Sequence, residues 1–114
     1  MIYFDTSALA KKYIRKERGR GKVIELLESY PQHLVSSVLT NLEIISALTR
    51  RQKEITGFEK ALESFTNDWE TFSVWAIDDD VVSRAAAMVR LYKLKAADAI
   101  HLATAWSIQK HIKD

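Results

Sequence analysis

Met1-Ile2-Tyr3-Phe4-Asp5-Thr6-Ser7-Ala8-Leu9 opens the chain with an apolar, β-favouring run that stops abruptly at three polar residues. Ile2 to Phe4 reads as a short buried strand, and Thr6 or Ser7 supplies a hydroxyl to cap a helix running to about residue 14. Asp5 therefore falls where the carboxyl end of a strand meets the start of a helix. In parallel α/β sheets that is the end at which ligands gather.

The alternation continues outward from this junction. Arg18-Gly19-Arg20-Gly21 breaks the helical pattern, and Val23, Ile24, Leu26 and Leu27 then form an apolar stripe that ends near Tyr30-Pro31. His33 to Ser36 is a second short strand. Leu39, Leu42, Ile45 and Leu48 follow one helical face over residues 39–51, with Ser37 or Thr40 as cap, and Phe58, Leu62, Phe65 and Trp69 continue at helical spacing. Phe72 to Ile77 offers a third strand, Asp78-Asp79-Asp80 starts a helix to about Leu91, and a final helix begins near Asp98. Strands alternating with helices predict an α/β layer architecture with a largely parallel sheet.

With 114 residues the chain has the length of one domain, enough to bury roughly two-thirds of the surface an unfolded chain exposes. Apolar residues at 47% and charged residues at 28% argue against disorder, a fibrous repeat or a coiled coil. No run approaches the ~18 apolar residues of a membrane span, and the N-terminus lacks the features of a signal peptide, so a soluble cytoplasmic protein is expected. The absence of cysteine excludes a cysteine nucleophile and zinc ribbons and leaves oxygen or histidine as the only metal ligands. Net charge is only +2, yet Lys11, Lys12, Arg15, Lys16, Arg18, Arg20 and Lys22 crowd one segment, and Arg50, Arg51 and Lys53 form a second group. Such clusters either contact phosphates or are solvated helix ends, and sequence does not choose between the two.

Three separated acids stand beside apolar residues: Asp5, Glu43 among Leu42, Ile44 and Ile45, and Asp98 before Ala99-Ile100. If they converge, carboxylates ~4 Å apart repel by about 4 kcal/mol per pair at an effective dielectric of 20, a penalty that a divalent cation removes. Mg²⁺ and Mn²⁺ accept such oxygen ligands, and the chemistry that follows is metal-dependent phosphodiester hydrolysis. Each acid also has a plainer role. Asp5 can cap a helix, and Asp98 can be a favourable charge at a helix N-terminus, worth ~0.3–1 kcal/mol. Only Glu43, with its apolar neighbours, resists such a reading. His101 fits a hydrogen-bonded core histidine better than a ligand or base, and Asp78-Asp79-Asp80 fits a strand end and helix cap. Tyr13, Tyr30, Tyr92 and the tryptophans are expected in core or interface packing, and Ser7 has no partners for a serine-hydrolase role.

Ile2-Tyr3-Phe4-Asp5-Thr6-Ser7-Ala8-Leu9, Ser37-Val38-Leu39-Thr40-Asn41-Leu42-Glu43 and Lys95-Ala96-Ala97-Asp98-Ala99-Ile100-His101-Leu102-Ala103-Thr104-Ala105 together resemble the motifs of PIN-domain proteins, especially VapC-like toxins. The resemblance runs in order through nearly the whole chain, and the last motif is the most distinctive. It implies a three-layer α/β/α sandwich with a mostly parallel central sheet, a Mg²⁺ or Mn²⁺ site, endoribonuclease activity leaving a 5′-phosphate and a 3′-hydroxyl, and inhibition by a cognate antitoxin. By position, Asp5, Glu43 and Asp98 match three acidic metal ligands of the family. Ser7 matches its hydroxyl residue two positions after the first acid, orienting Asp5 or touching a scissile phosphate, while Thr6 is assigned to the turn. A homodimer is the second partnership implied.

One departure stands at the end of the chain. A fourth acid in the family follows a further apolar strand, whereas Ile108-Gln109-Lys110-His111-Ile112-Lys113-Asp114 shows none, so the expectation is a single PIN-like domain over residues 1–114 that is truncated or lacks its final strand. The leading expectation is thus a metal-dependent endoribonuclease, with Lys11, Lys12, Arg15 and Arg50 as phosphate contacts. The alternative is a catalytically weak PIN-like module that binds RNA or protein. A phosphatase using Asp5 as nucleophile ranks third, because the second aspartate it needs is replaced by Ser7.

Overall fold

The structure, a computed structural model, describes residues 1–14 and 18–113, so Arg15, Lys16 and Asp114 of the sequence reading lie outside the described residues. The element order is β1 (Ile2–Tyr3), α1 (Thr6–Tyr13), α2 (Arg20–Ser29), β2 (Leu34–Ser37), α3 (Val38–Arg50), α4 (Phe58–Trp69), β3 (Ser73–Trp75), α5 (Asp79–Tyr92) and α6 (Ala96–Lys113). The three strands form one parallel sheet in the order β1-β2-β3, with Ile2 opposite Leu34, Tyr3 opposite Val35, and Val35 opposite Ser73.

Side chains alternate across the short strands, and this alternation makes the sheet a middle layer. Ile2, Phe4 and Leu34 join Leu9, Tyr13, Leu27, Ile44, Leu48, Phe65 and Phe72 in the larger core, which is built with α1 to α4. Aromatic contacts tie it together: Phe4 meets Phe72 edge to face with centroids 5.8 Å apart, and Trp69 stacks on Phe72 at 5.2 Å. Tyr3 points the other way and meets His101 of α6. On that side α5 and α6 pack through small residues, with Val81, Ala85, Ala99 and Ala103 forming a second cluster. The result is the α/β/α sandwich expected from the sequence.

Helix starts are set by side chains at the strand ends. Asp5, rather than Thr6 or Ser7, caps α1: its Oδ1 accepts the Ala8 N–H at 2.8 Å from an extended residue with φ −81° and ψ 174°. The acid precedes both hydroxyls and reaches the third helical N–H, leaving them inside the first turn. Ser37 caps α3 through Leu39 N–H at 3.1 Å, and Asp78 caps α5 through Val81 N–H at 2.9 Å, as its position in the acid triplet suggests. Gly57 at φ 80° makes the left-handed entry into α4, a conformation that residues with a Cβ rarely adopt.

The buried face of α3 differs from the apolar stripe read in the sequence. Thr40, Ile44 and Leu48 are buried, while Leu42 is 64% exposed and Ile45 also faces outward. Ser36 explains the rotation: its Oγ lies 2.6 Å from the Phe4 carbonyl and 2.9 Å from Thr40 Oγ1, which anchors Thr40 against the sheet and sends Leu42 to the surface. Tyr30 and Tyr92 are likewise exposed rather than in the core, whereas Tyr13 packs edge to face on Phe65 with centroids 5.4 Å apart.

Candidate active site

The carboxyl end of β1 brings the first and last acids together. Asp5 and Asp98, both exposed, line one cavity of about 380 Å³ with Tyr3, Ala8, His101, Leu102 and Ala105. Asp98, His101, Leu102 and Ala105 follow one face of α6, spaced by three or four residues, so the helix presents a single acidic and apolar stripe to the end of β1. Asp98 in the first turn of α6 is favoured by the positive end of the helix, and Asp5 does the same for α1.

Glu43 approaches from the other side. It is half-buried on α3 and lines a neighbouring cavity of about 390 Å³ with Thr6, Leu42, Ser46, Ala47 and Arg50. Thr6 donates its hydroxyl proton to Glu43 Oε1 at 2.5 Å, and His101 Nε2 lies 3.0 Å from the same oxygen. The other ring nitrogen of His101, Nδ1, is 2.8 Å from the Tyr3 hydroxyl. His101 is buried, as the sequence reading of a hydrogen-bonded core histidine expects, but it also lines the Asp5–Asp98 cavity. It therefore stands between the two aspartates and Glu43.

Asp5 and Asp98 thus share a cavity, and Glu43 is reached through His101 and Thr6. Among the described residues no three acidic or histidine side chains are gathered closely enough to hold a metal ion. The donor set still fits a hard divalent cation, because Mg²⁺ is commonly bound by one or two carboxylates and keeps several waters. Asp5 Oδ1 is committed to the helix cap, and its second oxygen is the one such an ion would use.

The two hydroxyls after Asp5 divide differently from the sequence assignment. Thr6, given only a turn role there, is the one bound to Glu43. Ser7 lines a cavity of about 130 Å³ with Thr6, Ala10, Ile14, Ala47 and Arg51. Successive helical residues point about 100° apart, so once Asp5 caps the helix only one of the pair can face Glu43. Lys12, expected as a phosphate contact, is held 2.6 Å from Asp68, which also accepts a hydrogen bond from Tyr13. Arg50 shares the Glu43 cavity, and Arg51 lines the Ser7 cavity next to it.

Comparison with known proteins agrees with this architecture. The family model described as PIN domain matches residues 2–113. Ribonuclease VapC45 of Mycobacterium tuberculosis (strain CDC 1551 / Oshkosh) is 31% identical over 95% of this chain and 76% of its own length. Ribonuclease VapC49 of M. tuberculosis (strain ATCC 25618 / H37Rv) gives the same figures, 31%, 95% and 76%. A solved structure titled as a toxin-antitoxin complex from Klebsiella pneumoniae superposes with a TM-score of 0.70 at 27% identity, covering 96% of this chain and 81% of that one. The chain belongs to the PIN domain family, as a VapC-like member.

Proposed function

We propose that this chain is a divalent-metal-dependent endoribonuclease that acts as the toxin of a toxin-antitoxin pair. The observation that carries the reading is the cavity shared by Asp5 and Asp98 at the carboxyl end of β1, with Glu43 tied to its wall by His101 and held from the other side by Thr6. The ribonuclease names of the two mycobacterial relatives supply the substrate class, and the complex from K. pneumoniae supplies the antitoxin partner. A second copy of the chain and a cytoplasmic setting belong to the same proposal.

Asp5 and Asp98 would hold Mg²⁺ or Mn²⁺, with Glu43 as the third acid. The bound cation would supply charge neutralisation at the phosphate and a more acidic water. Arg50 and Arg51 face the neighbouring cavities and are suited to the flanking phosphates of an RNA strand, with Lys11 on α1 as a further contact. Ser7, beside Arg51, is assigned a hydrogen bond to the same backbone. Attack of water on phosphorus with departure of O3′ leaves a 5′-phosphate and a 3′-hydroxyl.

The second reading is an RNA- or protein-binding module with little catalysis, and it draws on Glu43 lining a different cavity from the two aspartates. Cleavage of a mixed RNA panel with Mn²⁺, Mg²⁺ or EDTA separates the two, using Asp5→Asn and Asp98→Asn variants checked for folding. The nuclease reading expects products only with metal and their loss in both variants. Salt-sensitive RNA binding without metal-dependent products would establish the module instead.

A further inference from the structure

His101 makes more contacts than filling a core requires. Only 8% exposed, it places Nδ1 2.8 Å from the Tyr3 hydroxyl and Nε2 3.0 Å from Glu43 Oε1. An ionised carboxylate can only accept hydrogen bonds, so the nitrogen facing Glu43 must carry a proton. With Nε2 as the donor to Glu43, Nδ1 is left to accept from the Tyr3 hydroxyl. Thr6 donates to the same Glu43 oxygen, and its 3.3 Å approach to His101 Nε2 is then a contact between two donors that share one acceptor.

We propose that His101 is a positioning residue for Glu43, held by Tyr3 as the Nε2–H tautomer so that it and Thr6 together fix the carboxylate behind the wall that His101 forms in the Asp5–Asp98 cavity. The geometry resembles the way outer partners orient metal-ligating side chains in general, where a second hydrogen bond on the imidazole sets which nitrogen carries the proton. Tyr3 comes from β1, His101 from α6, Thr6 from α1 and Glu43 from α3, so the chain of contacts crosses the sheet layer and couples both helical layers to one acid. The role of this relay in catalysis rests on the nuclease reading, but its existence does not.

Long-range proton–nitrogen NMR correlation on the metal-free protein reads the tautomer directly. The expected result is a protonated Nε2 and an unprotonated Nδ1 in the wild type, with the two tautomers mixing in Tyr3→Phe. A protonated Nδ1, or a wild-type pattern that Tyr3→Phe leaves unchanged, would overturn the proposal. Mn²⁺ titration adds a second readout: His101→Leu should weaken binding about 10- to 100-fold, the range for loss of an outer-shell partner. His101→Gln, whose amide can still donate to Glu43, should recover most of that loss in a protein of unchanged thermal midpoint. Equal weakening in the Leu and Gln variants would overturn positioning. If the tautomer is locked as expected and no variant or wild type cleaves RNA, it is the nuclease reading that fails.

Discussion

Thr6 Oγ1 lies 2.5 Å from Glu43 Oε1, linking the first turn of α1 to the middle of α3 across 37 residues of sequence. A hydrogen bond to a charged group contributes ~1.5–3 kcal/mol, and removing its donor leaves the carboxylate to find another orientation. Thr6→Val keeps the side-chain shape and removes the donor. It should lower kcat for RNA cleavage by about tenfold or more, at 1.36 kcal/mol per factor of ten. Ser7→Ala, in the cavity that Ser7 shares with Thr6 and Arg51, leaves the Thr6–Glu43 bond in place and should raise KM with kcat nearly unchanged. Steady-state kinetics of the two variants assign the hydroxyl; a large kcat loss in Ser7→Ala with none in Thr6→Val would return it to Ser7.

The two aspartates should separate chemistry from stability. Asn is as good a helix cap as Asp, so Asp5→Asn should lose Mn²⁺ binding and cleavage while keeping its thermal midpoint. Asp5→Ala removes the cap as well and should cost a further ~1 kcal/mol in a denaturant titration. Asp98→Asn should lose metal binding and only ~0.3–1 kcal/mol of helix-terminal stabilisation. Mn²⁺ titration alongside urea unfolding checks all three. Undiminished metal affinity in both Asn variants would remove the Asp5–Asp98 cavity from the mechanism.

Local signals made most of the architecture legible. The apolar run ending at Asp5 marked β1, and Phe58, Leu62, Phe65 and Trp69 marked α4, because in each the pattern depends on neighbours in sequence. The face of α3 was not legible. Thr40 is buried because Ser36, on the preceding strand, joins it to the Phe4 carbonyl, a tertiary hydrogen bond that overrides the apolar stripe. The meeting of Asp5 and Asp98 followed from topology, since strand ends in a parallel sheet collect ligand groups. The place of His101 one turn after Asp98 was legible, but its bridging partners, 58 and 98 residues away, were not. Thr6 and Ser7, adjacent hydroxyls of equal propensity, were told apart only by the rotation that the Asp5 cap imposes.

Arg51 and Lys12 should differ sharply in how they influence RNA binding. Lys12 is tied to Asp68 at 2.6 Å with its side chain 20% exposed, whereas Arg51 lines the Ser7 cavity. Each phosphate contact to a single strand contributes about 0.7 to the slope of log affinity against log salt. Arg51→Gln should therefore lower that slope by roughly 0.7, and Lys12→Gln should leave it nearly unchanged. Fluorescence anisotropy with a labelled, uncleavable RNA over a salt series measures both. A slope change confined to Lys12→Gln would place the RNA on the α1–α4 side instead.

Tyr13 predicts how the protein responds to alkali. Burial, and then its hydrogen bond to the negative Asp68, hold the phenol well above its ordinary value near 10. Between that ordinary value and its own, Tyr13 stays protonated when folded while the unfolded chain has already released the proton. The unfolded state then binds fewer protons, so stability falls as pH rises. The contribution is complete below about pH 10 and is progressively lost above it. Tyr13→Phe lacks this loss but forgoes the Asp68 hydrogen bond, a net ~0.5–1.5 kcal/mol, or ~1.5–3 kcal/mol if the charge is fully felt. At pH 8 the variant should be the less stable protein, and by pH 11 the gap should have narrowed. Urea unfolding of both proteins at these two pH values gives the comparison, and a gap that stays constant or widens would mean that Tyr13 ionises at least as freely in the folded protein as in the unfolded chain.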